Sequence, residues 1–117
     1  MLYNVSIMDM FTALAEPTRR NILEMLANSG EMSASEIVSK FSVSPPAISQ
    51  HLKVLRDADL VEVEKRAQQR IYTINPSKLH ELEDWIRKLT VVMEERYNRL
   101  DALLEREKSR LKKGGGK

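Results

Sequence analysis

Ser49, Gln50 and Lys53 put a hydroxyl, an amide and an ammonium within five residues of one another, in the stretch Val43 to Leu60, VSPPAISQHLKVLRDADL. These groups donate and accept hydrogen bonds readily, but none of them breaks a covalent bond unaided. Ile48, Leu52 and Leu55 recur at i, i+4 and i+7, so one side of a helix is set for burial. At roughly 100° per residue the opposite side presents Pro46, Ala47, Ser49, Gln50 and Lys53. That side is small or polar, holds one cation, and has no acid before Asp57. A surface laid into the DNA major groove needs room, donors and acceptors for base edges, and nothing anionic against phosphate. A plain amphipathic helix with a solvated face is the alternative. Ser, Gln and Ala in the middle of the outer face do little for such a helix in water, where Glu and Lys pairs are usual.

Other chemistries find little support. The chain has no cysteine, so thiolate nucleophiles, thiolate metal sites and disulfides are all excluded. His51 and His80 are the only imidazoles, and no glycine-rich phosphate loop is present. Ser49 and His51 stand two apart on a helix, face different directions and cannot form a nucleophile–base pair. No enzyme and no cofactor are expected. His80 lies near Glu83 and Asp84, but a single histidine beside acids reads as a surface group, so no metal site is expected either.

The 117 residues predict one domain, over 1–113, followed by a disordered tail at 114–117. A hydrophobic fraction of 42% is that of a globular chain. No apolar run approaches the length of a membrane span and no leader opens the chain, which predicts a cytoplasmic protein. The net charge of +2 is unevenly spread. Residues 1–39 carry two cations and five acids, residues 40–75 six and four, and residues 76–117 eleven and eight. The positive balance begins where the Ser/Gln-faced helix begins, as a phosphate-facing surface requires.

The elements that must carry that helix follow in order. Met1 to Leu14 reads as a first helix, with Ile7 or Met8, Phe11 and Leu14 as a core or subunit stripe. Pro17 opens a second, with Ile22, Leu23, Leu26 and Met25 inward, ended by Gly30. Arg19 and Arg20 near its start either hold acids such as Glu16 and Glu24 or touch phosphate, with a structural role favoured. Ser33 and Glu36 form a capping box for a third helix to Phe41, with Ile37, Val38 and Phe41 inward. Ser42-Val43 is then a very short turn. Ser44 caps the next helix and Pro45 fits its first turn. Two short helices joined this tightly make a helix-turn-helix, whose second member reads DNA.

After Asp59-Leu60 the period changes from helical to alternating. Val61 to Arg66 and Arg70 to Ile74 read as a β-hairpin. Its tip holds Lys65, Arg66, Gln68, Gln69 and Arg70, which fits a wing on phosphates or the adjacent minor groove. A solvated turn is the alternative. Asn75-Pro76 then starts a long helix over 77–113, about 55 Å at 1.5 Å per residue. Leu79, Leu82, Ile86, Leu89, Met93, Tyr97, Leu100 and Leu104 are spaced 3, 4, 3, 4, 4, 3 and 4, near a heptad rhythm, with Trp85, Val92 and Leu103 widening the stripe. A small domain cannot cover so long a stripe. The expected partner is the same helix of a second copy, with Phe11 contributing. The predicted fold is mainly α with a small β-hairpin: a winged helix-turn-helix with a long C-terminal dimerisation helix.

With these residues in place, the chain resembles the ArsR-type winged-helix transcriptional repressors over about residues 8–105. The likeness rests on FTALAEPTRRNILEML, SPPAISQHLKVLRDADLV and the hairpin with RIYTINP. EDWIRKL and MEERYNRLDALLE in the last helix are similar to a metal-independent branch of that family. The resemblance implies a homodimer that binds operator DNA near promoters and represses transcription. In metal-sensing branches a thiolate pair sits where this chain has Ser33 and Ser35, and hydroxyls are poor ligands for soft metals. The family places a histidine at His51, near DNA, where it either donates to a phosphate or braces the helix.

The DNA-contacting set is therefore expected to be Ser44, Pro46, Ala47, Ser49, Gln50, His51 and Lys53, with Lys65, Arg66, Gln68, Gln69 and Arg70 of the wing. Gln50 is the candidate for reading adenine, since its amide can pair bidentately. Two such helices set one DNA turn apart would read an inverted repeat in double-stranded DNA. The rival expectation is a winged-helix protein-interaction module without specific DNA binding. No effector is named by the sequence, although an apolar pocket beside the last helix could hold a small molecule.

Overall fold

A run of small helices, a narrow sheet and one long helix make up the computed structural model, which describes residues 5–115 and the side chains of 7–112. The order is α1 (Val5–Leu14), α2 (Pro17–Ser29), β1 (Met32–Ser33), α3 (Ala34–Ser39), α4 (Pro45–Asp57), β2 (Val61–Arg66), β3 (Gln69–Ile74) and α5 (Pro76–Gly115). Met1 to Asn4 of the expected first helix, and the last two residues of the expected tail, lie outside the described residues. The chain divides into two units, Met1–Leu82 and Glu83–Lys117, the boundary falling inside α5 and within the single domain expected over 1–113.

Local chemistry accounts for the helix ends. Glu16 caps α2 by accepting the backbone N–H of Arg19, and Gly30 ends it at φ 86°, where a Cβ is disfavoured. Ser33 and Glu36 complete the expected capping box on α3: Ser33 N donates to Glu36 Oε1 at 3.0 Å and Glu36 N to Ser33 Oγ at 3.1 Å. Helix α4 ends in a Schellman arrangement. Asp59 N donates to Arg56 O and Leu60 N to Leu55 O, with Asp59 at φ 58°. Asn75 caps α5, its Oδ1 accepting the N–H of Ser77 at 3.2 Å.

The first unit has one core. Ile22 and Leu26 of α2, Ile37 of α3, and Ile48, Leu52 and Leu55 of α4 are buried together with Leu60, Val61 and Tyr72. The stripe expected on α1 divides between core and surface. Met10 and Ala13 are fully buried with Ile7 and Leu14 packed beside them, whereas Met8 and Phe11 stay exposed. Both stripes have helical spacing, and only the packing partner distinguishes them. The sheet has three strands, not two, in the order β1-β3-β2, all antiparallel. Strand β1 pairs Met32 with Tyr72 and Ser33 with Ile71. Ser33 thus ends a strand and caps a helix at once.

Leu79 and Leu82 at the start of α5 pack against this core. They are half-buried there, so part of the surface expected for a partner is used by the protomer's own core. From Trp85 onward the apolar residues of α5 are exposed, among them Leu89 at 53%, Met93 at 53% and Leu100 at 50%. At 40 residues α5 is about 60 Å long. Among the described residues, no helix is long and apolar enough to cross a membrane.

Candidate nucleic-acid interface

Helix α4 shows the two faces expected of it. Ile48, Leu52 and Leu55 are buried; Pro46, Ser49, Gln50 and Lys53 are exposed, and Ala47 is half-buried. Ser44 Oγ is committed to the cap, accepting Ala47 N–H at 3.3 Å. The exposed side chains form one wall of an open groove of about 570 Å³. Arg70 and Tyr72 of β3 form the other wall, and Arg56 of α4 joins them. Sequence reasoning missed Arg56 and Tyr72. Arg56 lies seven residues after Ser49, two helical turns on, so its spacing alone could have found it. Tyr72 is two residues from Arg70 along one strand, and so on the same face.

Strand register sorts the cations of the wing. Val61 faces Ile74, Val63 faces Tyr72 and Lys65 faces Arg70; these pairs share one side of the hairpin. Lys65 and Arg70 are therefore like charges directly opposite each other, an arrangement that costs stability in the free protein. Neither has an ion pair among the described residues. The alternate pairs are Glu62 with Thr73, Glu64 with Ile71, and Arg66 with Gln69, on the other side. There Arg66 is fully engaged. Nη1 donates to Glu31 Oε2 at 2.7 Å, and Nη2 to Glu31 Oε1 and to Glu64 Oε2, both at 3.2 Å. The Arg66 hydrogen bond holds the Glu31 carboxyl below the usual carboxylate range, against a smaller opposing effect of desolvation. Of the expected wing cations, Lys65 and Arg70 share the groove side with Tyr72, and Arg66 does not. Gln68 and Gln69 are exposed at the turn and line no part of the groove.

Lys53 is also engaged, donating to Asp57 Oδ2 at 2.9 Å one turn further along α4. That bond holds the Asp57 carboxyl below its ordinary range. Both side chains are well exposed, so the pair is worth little and Lys53 can exchange Asp57 for a phosphate at small cost.

His51 sits behind the outer face. Arg19 Nη1 lies 3.1 Å from its Nδ1, and Glu16 Oε2 lies 3.8 Å from the same atom. A guanidinium only donates, so a hydrogen bond between the two needs Nδ1 as the acceptor. Arg19 also donates from Nε to Ala13 O at 2.7 Å and from Nη2 to Thr12 O at 3.2 Å. Arg20 donates to Leu14 O at 2.7 Å. The two arginines thus close the last carbonyls of α1, a structural role. Their hydrogen bonds go to backbone oxygens, while the nearby Arg19 charge also favours the ionised Glu16 carboxyl, one of the acids expected. Of the two roles left open for His51, the bracing contact is present.

A short helix, a tight turn, an exposed polar helix and a cationic hairpin define a winged-helix transcriptional regulator. Residues 16–63 match the family described as bacterial regulatory protein, arsR family. The chain is 35% identical over 78 residues to the transcriptional repressor SdpR of Bacillus subtilis (strain 168), covering 67% of this chain and 86% of that one. It is 36% identical over 73 residues to the arsenical resistance operon repressor of Staphylococcus xylosus, covering 62% and 65%. An ArsR-like transcriptional regulator from Rhodococcus sp. RHA1 superposes with a TM-score of 0.74 at 25% identity, over 85% of this chain and 92% of that one. The chain belongs to the ArsR family of transcriptional regulators. These relatives are regulators rather than enzymes. Among the described residues, no group of three or more His, Asp or Glu side chains is placed to hold a metal ion.

Proposed function

We propose that the protein is a homodimeric repressor that reads an inverted repeat in double-stranded DNA. In this reading α4 enters the major groove, with Ser49 and Gln50 on base edges and Lys53 and Arg56 on backbone. Lys65 and Arg70 grip phosphates beside it. The observation that carries the proposal is the cross-strand pair Lys65–Arg70. Two like charges face each other on the side of the sheet that carries Tyr72, and Arg70 and Tyr72 share a groove with Ser49, Gln50 and Lys53. An anion in that groove relieves their repulsion. The exposed apolar residues of α5, Trp85 and Ile86 to Leu104, are the proposed contact between copies, with Phe11 of α1 as a further apolar group. Repression follows the name of the transcriptional repressor SdpR, and occupancy of a promoter is its proposed route. The absence of cysteine, which leaves Ser33 and Ser35 in place of a thiolate pair, supports action without a thiolate-bound metal.

Salt titrations of DNA affinity test the wing. Arg70→Ala is expected to lower affinity on every duplex and to reduce the salt slope by about one unit, the signature of a lost phosphate contact. An unchanged slope would remove Arg70 from the interface.

A further inference from the structure

A bridge crosses the back of the hairpin. It joins Arg66 at the end of β2 to Glu31, just before β1, 35 residues away in sequence. By register Arg66 lies on the face that carries Glu64 and Ile71, opposite to the face of Lys65 and Arg70. Strand β3 runs between β1 and β2, so the bridge spans it. Ile71 sits on that side of β3 and is only 6% exposed. The contact is bidentate, two parallel N–H···O bonds that fix a plane as well as a distance. Glu64 holds the same guanidinium through two further bonds, at 3.2 and 3.5 Å. Long free hairpins twist, and two strands alone are marginal in water. The rest of the wing tip has little else to hold it: β1 pairs only with Tyr72 and Ile71, short of the turn.

We propose that Glu31 and Arg66 are positioning residues, a clamp on the rear face of the wing that aims Lys65 and Arg70 at DNA without touching it. The inference rests on the DNA-binding reading for its consequence, and on the free protein for its mechanism. A clamp and a plain surface charge make opposite predictions for one variant. Glu31→Ala removes an acid and releases Arg66, so simple electrostatics raises DNA affinity. Loss of the clamp lowers it, because an unaimed wing must be ordered at the moment of binding.

The test uses the full chain in two arms. Amide hydrogen exchange on the free protein is expected to quicken severalfold over residues 64–71 in both Glu31→Ala and Arg66→Met, with the α4 amides unchanged. DNA affinity is expected to fall about two- to tenfold in Glu31→Ala, the range open to an exposed but bidentate pair. The loss caused by Arg70→Ala is expected to shrink in the Glu31→Ala background, since a wing already adrift has less to lose. Unchanged exchange at the tip overturns the clamp, and so does equal or higher affinity in Glu31→Ala. If the wild-type chain selects no DNA, the DNA-binding reading fails, and the exchange arm still decides the clamp.

Discussion

An amide on the outer face of α4 can do what its neighbours cannot. Gln50 offers a donor and an acceptor side by side, the pattern that adenine presents in the major groove. Ser49 can satisfy either base edge, and Lys53 is shared with Asp57. Gln50→Ala is therefore expected to cost about 1–3 kcal/mol of discrimination at one base pair per half-site, and little elsewhere. Affinities measured on a set of single-base variants of the site decide this; an equal loss on every sequence would give Gln50 a backbone role instead. The outer face of α4 was legible because helical spacing alone sorts its residues. The partners of His51 and Arg66 were not. They lie 32 and 35 residues away, and no local pattern couples such positions.

At the scale of the element, the hairpin turn stores strain. Ala67 adopts φ 53°, a left-handed conformation that an L-residue with a Cβ enters at a cost. Ala67→Gly is expected to raise stability by about 0.5–1 kcal/mol, read as a higher urea midpoint with an unchanged slope. A lower midpoint would mean that the extra freedom of glycine in the unfolded chain outweighs the relief. The clamp also has a pH signature. The Glu31 carboxyl is depressed in the folded state by Arg66, so the unfolded chain binds the proton more readily. The stabilisation is complete above the ordinary carboxylate value and is lost as pH falls through the lowered folded value. Glu31→Gln should accordingly flatten the acid side of the stability curve, in urea midpoints taken between about pH 5 and about pH 2, where paired carboxylates are protonated. An identical acid limb in the variant would show that the pair contributes nothing. Element types were largely readable in sequence: caps, turns and the switch from helical to alternating period each have local causes. Strand β1 was not, because two residues carry no period and Ser33 already reads as a cap. On α1 the sequence named Ile7 and Leu14, which pack on the core, but not Met10 and Ala13, because Met8 with Phe11 keeps the same helical spacing.

At the scale of the molecule, a long helix with exposed Leu and Met at nearly every turn needs a second surface. In the proposed homodimer a second copy supplies the same stripe, and reading an inverted repeat requires its two α4 helices about one DNA turn apart, ~34 Å. The exposed stripe of α5 was visible in the repeat of apolar residues, but which leucines pack on the protomer's own core was not. Leu79 and Leu82 continue the stripe without a break, and only the fold shows that they pack, half-buried, against the first unit's core. In the proposed complex, dimer symmetry and DNA symmetry coincide. The most direct measurement is selection of bound sequences from a random double-stranded library at physiological salt, with no metal added. The predicted result is an enriched inverted repeat with half-site centres about one turn, 10–10.5 base pairs, apart. A folded, dimeric protein that enriches no sequence, or only a single unrepeated site, would contradict it.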